Sequence, residues 1–333
     1  MHKEITRSAG IDLARSTAII SVLLLHSGVF YPGRYGVQLF FVISGYLLAD
    51  MSSISNQSFV IKRIFRLFPL YWVILVFFYS DYFNSLGQLL VSVLLLQNIH
   101  WSLQAVPGSW SISNEWIFSV TLIFLRNLKK KILLGLILIS WVSNILSFVA
   151  IKYFLNAPSH LPNDGYVFNA YINILNPLIN LSFFLIGVGI KRELLPILKS
   201  KFSAIAIITI GTATSNLIGP ESMFIWPPIL WAIFSMSLKW SPESRIVRQI
   251  IQFIGKRTYG IFFIHFIVLE HVTSFKFINK MPETYFIQNI GIFSITLLIS
   301  LGFSEASWRL LEVPSMKIAA QLIKFSPKKK TKK

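Results

Sequence analysis

Ten apolar segments dominate this chain, near residues 11–31, 35–50, 69–84, 110–127, 132–151, 171–190, 203–219, 223–238, 251–270 and 285–304. A helix needs ~20 apolar residues to cross the ~30 Å hydrocarbon core of a bilayer. Lipid offers the backbone no hydrogen-bond partners, so segments of this length are viable there as helices. An eleventh run, Leu89–Asn98, is too short: at ~1.5 Å per residue it spans about half the core. Only 13% of the 333 residues are charged and 54% are hydrophobic, whereas a soluble domain carries about a quarter charged residues. Too little polar surface is present to cover a water-exposed globule. The pattern predicts an all-α membrane protein.

The net charge of +18 could suggest nucleic acid, but its placement argues otherwise. Cytoplasmic loops retain Lys and Arg. With the N-terminus inside and Leu89–Asn98 not crossing, 26 of the 31 basic residues fall on the cytoplasmic side, four outside and Arg15 within the first span. Letting the short run cross would invert every later loop, turning Lys129–Lys131 outward. The expected architecture is therefore a ten-helix transmembrane bundle, with a re-entrant or interfacial segment near 89–98 and both termini cytoplasmic. Residues 1–320 form the transmembrane domain and 321–333 a basic tail whose Lys328–Lys333 anchors topology or meets anionic membrane lipids; no nucleic acid partner is expected. Asp12, Arg15 and His26 interrupt the first apolar stretch and no small-residue cleavage site follows, so it is not read as a cleavable signal. The absence of cysteine removes disulfides, thiolate metal sites and a cysteinyl acyl-enzyme. No fixed-period repeat or inverted pair of halves is visible, which disfavours a glycan or lipid transporter, the alternative reading.

Ionisable residues inside a span are costly and mark candidate sites. Arg15 and His26 are eleven residues apart, close to three helical turns, so they share a face ~16 Å apart along the axis. Asp12 is placed to pair with Arg15. Arg63 and Arg66 are expected at the cytoplasmic surface just before a third helix that opens near Pro69, as a pair of forks suited to phosphate oxygens. Glu115, in the outer half of the fourth span, is expected at the depth of His26, as its orienter or proton-transfer partner. His265 lies near mid-membrane in the ninth span. Taken singly, these have ordinary explanations: a snorkelling arginine, basic flanks, packed histidines. The remaining histidines are scattered without metal-ligand spacing, and no metal is expected.

Together these pieces resemble the acyltransferase 3 family of bacterial integral-membrane O-acyltransferases that modify surface polysaccharides. The matches run in order: Ile11-Asp12-Leu13-Ala14-Arg15 with His26; Gly36 to Tyr46; Arg63-Ile64-Phe65-Arg66-Leu67-Phe68-Pro69; Trp110-Ser111-Ile112-Ser113-Asn114-Glu115; Ile254 to Tyr259 with His265; and Leu311-Glu312-Val313-Pro314. Gln38 stands where the family usually has Asp, and a second acidic residue or Gln often found near Trp116 is missing. The resemblance implies no permanently bound cofactor, acetyl-CoA as donor from the cytoplasm, and a lipid-linked or polymeric glycan such as lipopolysaccharide O-antigen as acceptor. It implies a multi-pass protein of the bacterial inner membrane. Its site residues would be His26 as general base or transient acyl carrier and Glu115 beside it, with Arg15, Arg63, Arg66, Trp110, Tyr259 and His265 binding substrates. Ser44 and Gly45 are expected to serve close helix approach. The fused extracytoplasmic hydrolase-like domain of some relatives is not seen, so transfer would be completed by the membrane domain alone.

Overall fold

The computed structural model describes residues 8–49, 54–83, 85–99, 106–153, 176–218, 223–274 and 285–325. Among these residues there is no strand. The helices are α1 (Ala9–His26), α2 (Gly36–Leu48), α3 (Asn56–Phe78), α4 (Leu86–Val93), α5 (Ser109–Leu125) and α6 (Lys130–Tyr153), then α7 (Pro177–Lys191), α8 (Lys201–Ile218), α9 (Trp226–Leu238), α10 (Arg245–Ser274), α11 (Tyr285–Ser307) and α12 (Val313–Phe325). A π segment, Trp308–Glu312, joins α11 and α12 into one rod. Each of the ten predicted segments overlaps one of these helices, α4 and α12 being the additions. Among the described residues, four helical stretches are long and apolar enough to cross a membrane: α1, Lys130–Val149 of α6, α8, and Phe286–Lys324 of the last rod. Residues 326–333, most of the predicted tail, lie outside the described residues, as do His2, His100 and His160.

Shorter helices gain their place by packing. α2 has 13 residues, about 20 Å of rise, and is extended upstream by the 3-10 turn Tyr31–Tyr35. It crosses α7 in backbone contact: a Cβ on Gly45 would collide with the carbonyl of Phe184, and one on Gly187 with the carbonyl of Val42. With little hydrophobic drive between helices in lipid, such small residues supply the van der Waals contact that holds them. α1 touches α2, α9, α10 and α11, and its buried face includes Ala14, Ala18, Ile19, Val22 and Leu23. Phe77, Phe124, Phe202 and Leu217 are among the many large apolar side chains that face outward, too many for a soluble surface.

One expectation needs correction. α3 does not open at Pro69. It starts thirteen residues earlier at Asn56, where the side chain of Ser55 accepts the Ser58 N–H at 3.1 Å, a standard N-cap. Pro69 therefore sits inside the helix, and Arg63 and Arg66 are helical residues turned into the bundle, not a surface flank. The Leu89–Asn98 run, as expected too short to cross, holds the second half of α4 (Leu86–Val93), a turn at Leu95 and the start of a 3-10 turn, Gln97–Ile99. At ~12 Å, α4 is far short of a crossing. It is held by Tyr71 Oη donating to Ser92 O (3.0 Å), Ser113 Oγ donating to Leu95 O (2.8 Å) and Asn98 Nδ2 donating to Asn114 Oδ1 (2.6 Å).

Candidate active site

α1, α2, α3, α5 and α10 enclose a cavity of about 100 Å³ lined by Arg15, Ser44, Arg63, Arg66, Glu115, Tyr259 and Phe262, with apolar residues between them. That volume is enough for the end of a small acyl thioester. Three arginines and one glutamate line it, and the contacts of Arg63, Arg66 and Glu115 are specific. Arg63, 8% exposed, places Nη2 2.5 Å from Glu115 Oε1 and donates from Nε to Ser119 Oγ at 2.9 Å. Ser44 Oγ donates to the same Glu115 oxygen at 3.0 Å. The helices α2, α3 and α5 are thus tied at one carboxylate. Charge-assisted bonds of this kind are short and about twice as strong as neutral ones.

Arg66, one turn along α3, pairs with Glu312 at 2.8 Å. Its guanidinium also lies 5.4 Å from the Tyr259 ring centroid and 6.0 Å from that of Trp308, within cation–π range. The last rod aims Glu312 inward by a change of winding. Pro314 has no N–H for Leu310 O, and just before it Val313 N–H bonds to Trp308 O and not to Arg309 O, the i to i−5 pattern of a π turn, often found at functional sites. Tyr259 Oη donates to Leu67 O, fixing α10 to α3. Outside the cavity, Arg257 and Arg309 share the carboxylate of Glu305.

His26 ends α1 and is exposed, whereas His265 on α10 is fully buried. Nδ1 of His26 lies 2.9 Å from Nε2 of His265. Phe266 packs on both imidazoles, at 4.7 and 4.0 Å between centroids. Gly108, with φ of 73°, lets the start of α5 approach, since a Cβ there would meet the Phe266 ring at 2.6 Å.

The predicted residues therefore fall into two groups. Arg15, Arg63, Arg66, Glu115 and Tyr259 share the cavity; His26 and His265 form a separate pair. Phe262 belongs to both, lining the cavity with its ring 5.9 Å from that of His265. Oε1 of Glu115 is engaged by Arg63 and Ser44, while His26 meets His265. Ser44 is thus more than a close-packing residue. Trp110 packs edge-on to Phe41 at 6.3 Å and is not in the cavity lining. Glu312, Ser119 and Ser44 were missed as members of the charged network. Glu312 carried a signal, an acidic residue in an apolar rod just before a proline; the serines carried none. Among the described residues, no cluster of three or more His, Asp or Glu is placed to hold a metal.

The acyltransferase 3 family model, described as an acyltransferase domain, matches residues 8–305. The chain is 22% identical over 371 residues to a Staphylococcus aureus (strain MSSA476) protein named "Putative O-acetyltransferase", covering 98% of this chain and 60% of that one. It is also 22% identical over 375 residues to the O-acetyltransferase OatA of Staphylococcus aureus (strain MRSA252), covering 97% and 59%. The chain thus spans about 60% of the length of these relatives. No solved structure gives a significant match. With residues 8–305 matched by the family model, the chain belongs to the acyltransferase 3 family.

Proposed function

We propose that this protein is a multi-pass O-acetyltransferase of the bacterial inner membrane that moves an acetyl group from cytoplasmic acetyl-CoA to a sugar hydroxyl of a cell-surface polysaccharide. Lipopolysaccharide O-antigen is the first acceptor to test. Ten crossings with both termini inside fit the 26-to-4 split of basic residues and the ten apolar segments. The observation that carries the reading is that Arg15 lines the arginine-rich cavity on the same helix that ends in His26.

The nucleotide stays at the cytoplasmic side, drawn toward the positive charge of Arg15, Arg63 and Arg66 inside the bundle, and only the slender pantetheine arm enters the cavity they line. The ~16 Å from Arg15 to His26 along α1 is comparable to the reach of that arm. Phe262 stands between cavity and imidazoles, so the thioester passes its ring to react. His26 takes the proton of the sugar hydroxyl as its oxygen attacks the thioester carbonyl. The carbon–sulfur bond then breaks, and the departing thiolate collects the proton from the imidazolium. A transient acyl group on His26 would use the same donor and leaving group. Glu115 holds Arg63 in place and so acts on the donor side.

The test uses membranes carrying this protein alone, given acetyl-labelled acetyl-CoA and the glycan acceptor. Label is expected on the glycan with wild type and not with His26→Ala, which still inserts. Wild-type labelling by that variant removes His26 from the mechanism; acceptor movement without acetyl consumption would favour a transporter.

A further inference from the structure

We propose that His265 is a positioning residue that sets the tautomer of His26, leaving Nε2 of His26 as the nitrogen that receives the acceptor proton. The assignment of that proton rests on the acyl-transfer reading above; the tautomer does not. α10 puts Ile261 and His265 one turn apart, with His265 Nδ1 3.1 Å from Ile261 O. A carbonyl oxygen only accepts, so Nδ1 of His265 carries hydrogen. The ring is 0% exposed, and its ring neighbours are Phe262, Phe266 and His26. Both its nitrogens are engaged without a carboxylate. An imidazolium held there without a counter-charge would bear a large desolvation cost. His265 is therefore neutral, and its one N–H is already used.

Its Nε2 must then be an acceptor, and 2.9 Å away lies Nδ1 of His26. The ring planes differ by 22° with centroids 5.1 Å apart, so the rings meet nearly edge to edge, as an imidazole–imidazole hydrogen bond requires. His26 Nδ1 accordingly carries hydrogen and donates. In neutral His26 the lone pair is left on Nε2. When Nε2 takes the acceptor proton, Nδ1 still donates to His265, and that bond becomes charge-assisted. It strengthens as the transition state forms, which is when it helps most. His265 keeps its own hydrogen throughout; the proton travels from sugar hydroxyl to His26 Nε2 and on to the departing thiolate. Without His265, both His26 nitrogens compete for hydrogen and the productive form is diluted.

Full-length protein in nanodiscs, labelled with 15N-histidine and assigned by loss of signal in His26→Gln, reports the tautomer directly. Hydrogen on Nδ1 of His26 is expected in wild type and a mixture in His265→Phe. Hydrogen on Nε2 in wild type overturns the proposal. In kinetics, His265→Phe is expected to lower kcat about 100-fold with the donor KM unchanged. His265→Gln, whose amide oxygen reaches the place of Nε2, should recover at least a tenth of wild-type kcat. Wild-type kcat in the Phe variant also overturns it, as does equal loss in both variants with the wild-type tautomer retained. If no acetyl transfer is found while the Nδ1–H form of His26 holds, the functional reading fails and the positioning role stands.

Discussion

Replacing Arg63 and Glu115 by Gln together should cost far less than the sum of the two single replacements. The two side chains are only 10% and 18% exposed and meet at 2.5 Å. At an effective dielectric near 20, unit charges ~4 Å apart attract by about 4 kcal/mol. Removing one partner of a buried pair leaves the other charge desolvated, which costs ~3–5 kcal/mol. In Arg63→Gln, Ser44 would still donate to the stranded carboxylate, so the lower end, about 3 kcal/mol, is expected. Glu115→Gln leaves Arg63 bonded to Ser119 and to an amide oxygen, and should cost ~2 kcal/mol. In the double variant two neutral amides can bond to each other, so its loss should be smaller than the sum by at least ~2 kcal/mol. The assay is reversible unfolding by a denaturing detergent in mixed micelles, run on all four proteins. Losses that add to within ~0.5 kcal/mol would refute the claim that this pair is a coupled charge pair inside the bundle.

Three more outcomes are expected. Gly45→Leu or Gly187→Leu should abolish folded yield, each driving a side chain into the facing helix backbone, a loss above ~4 kcal/mol; Gly135→Leu, with open space around it, should stay within ~0.5 kcal/mol of wild type, both read as monodisperse protein by gel filtration. Gly108→Ala should lose ~2 kcal/mol in detergent unfolding, from its left-handed backbone and the meeting with Phe266, and a wild-type midpoint would show that this approach is not tight. Phe262→Ala, by opening the layer between cavity and imidazoles, should raise acetyl-CoA hydrolysis relative to glycan transfer roughly tenfold, a change of ~1.4 kcal/mol in relative barriers; an unchanged ratio would mean that Phe262 does not separate the two compartments.

Much of the helical plan was legible because apolar length is a local property. The errors came where local signals were ambiguous. Pro69 suits a first helical turn, but the N-cap at Ser55 and the buried contacts of Arg63 carry the helix through it. For the site, Arg15, Arg63, Arg66, Glu115 and Tyr259 were named from the sequence and do share a cavity. The bond between His26 and His265 was not foreseen, since 239 residues separate them and no spacing rule reaches that far.

Chain order alone was enough to say which stretches are helical, that they belong in lipid, and which side chains are too polar to be there without partners. These follow from local hydrophobicity, helix periodicity and the cost of desolvating charge. Partnership was decided only in three dimensions: that Glu115 answers Arg63, that Glu312 turns inward to Arg66, and that one imidazole meets another. The physical reason is that a helix specifies its own face, while the face it meets depends on crossings such as Gly45 on Phe184 and Gly187 on Val42, made between segments far apart in the chain.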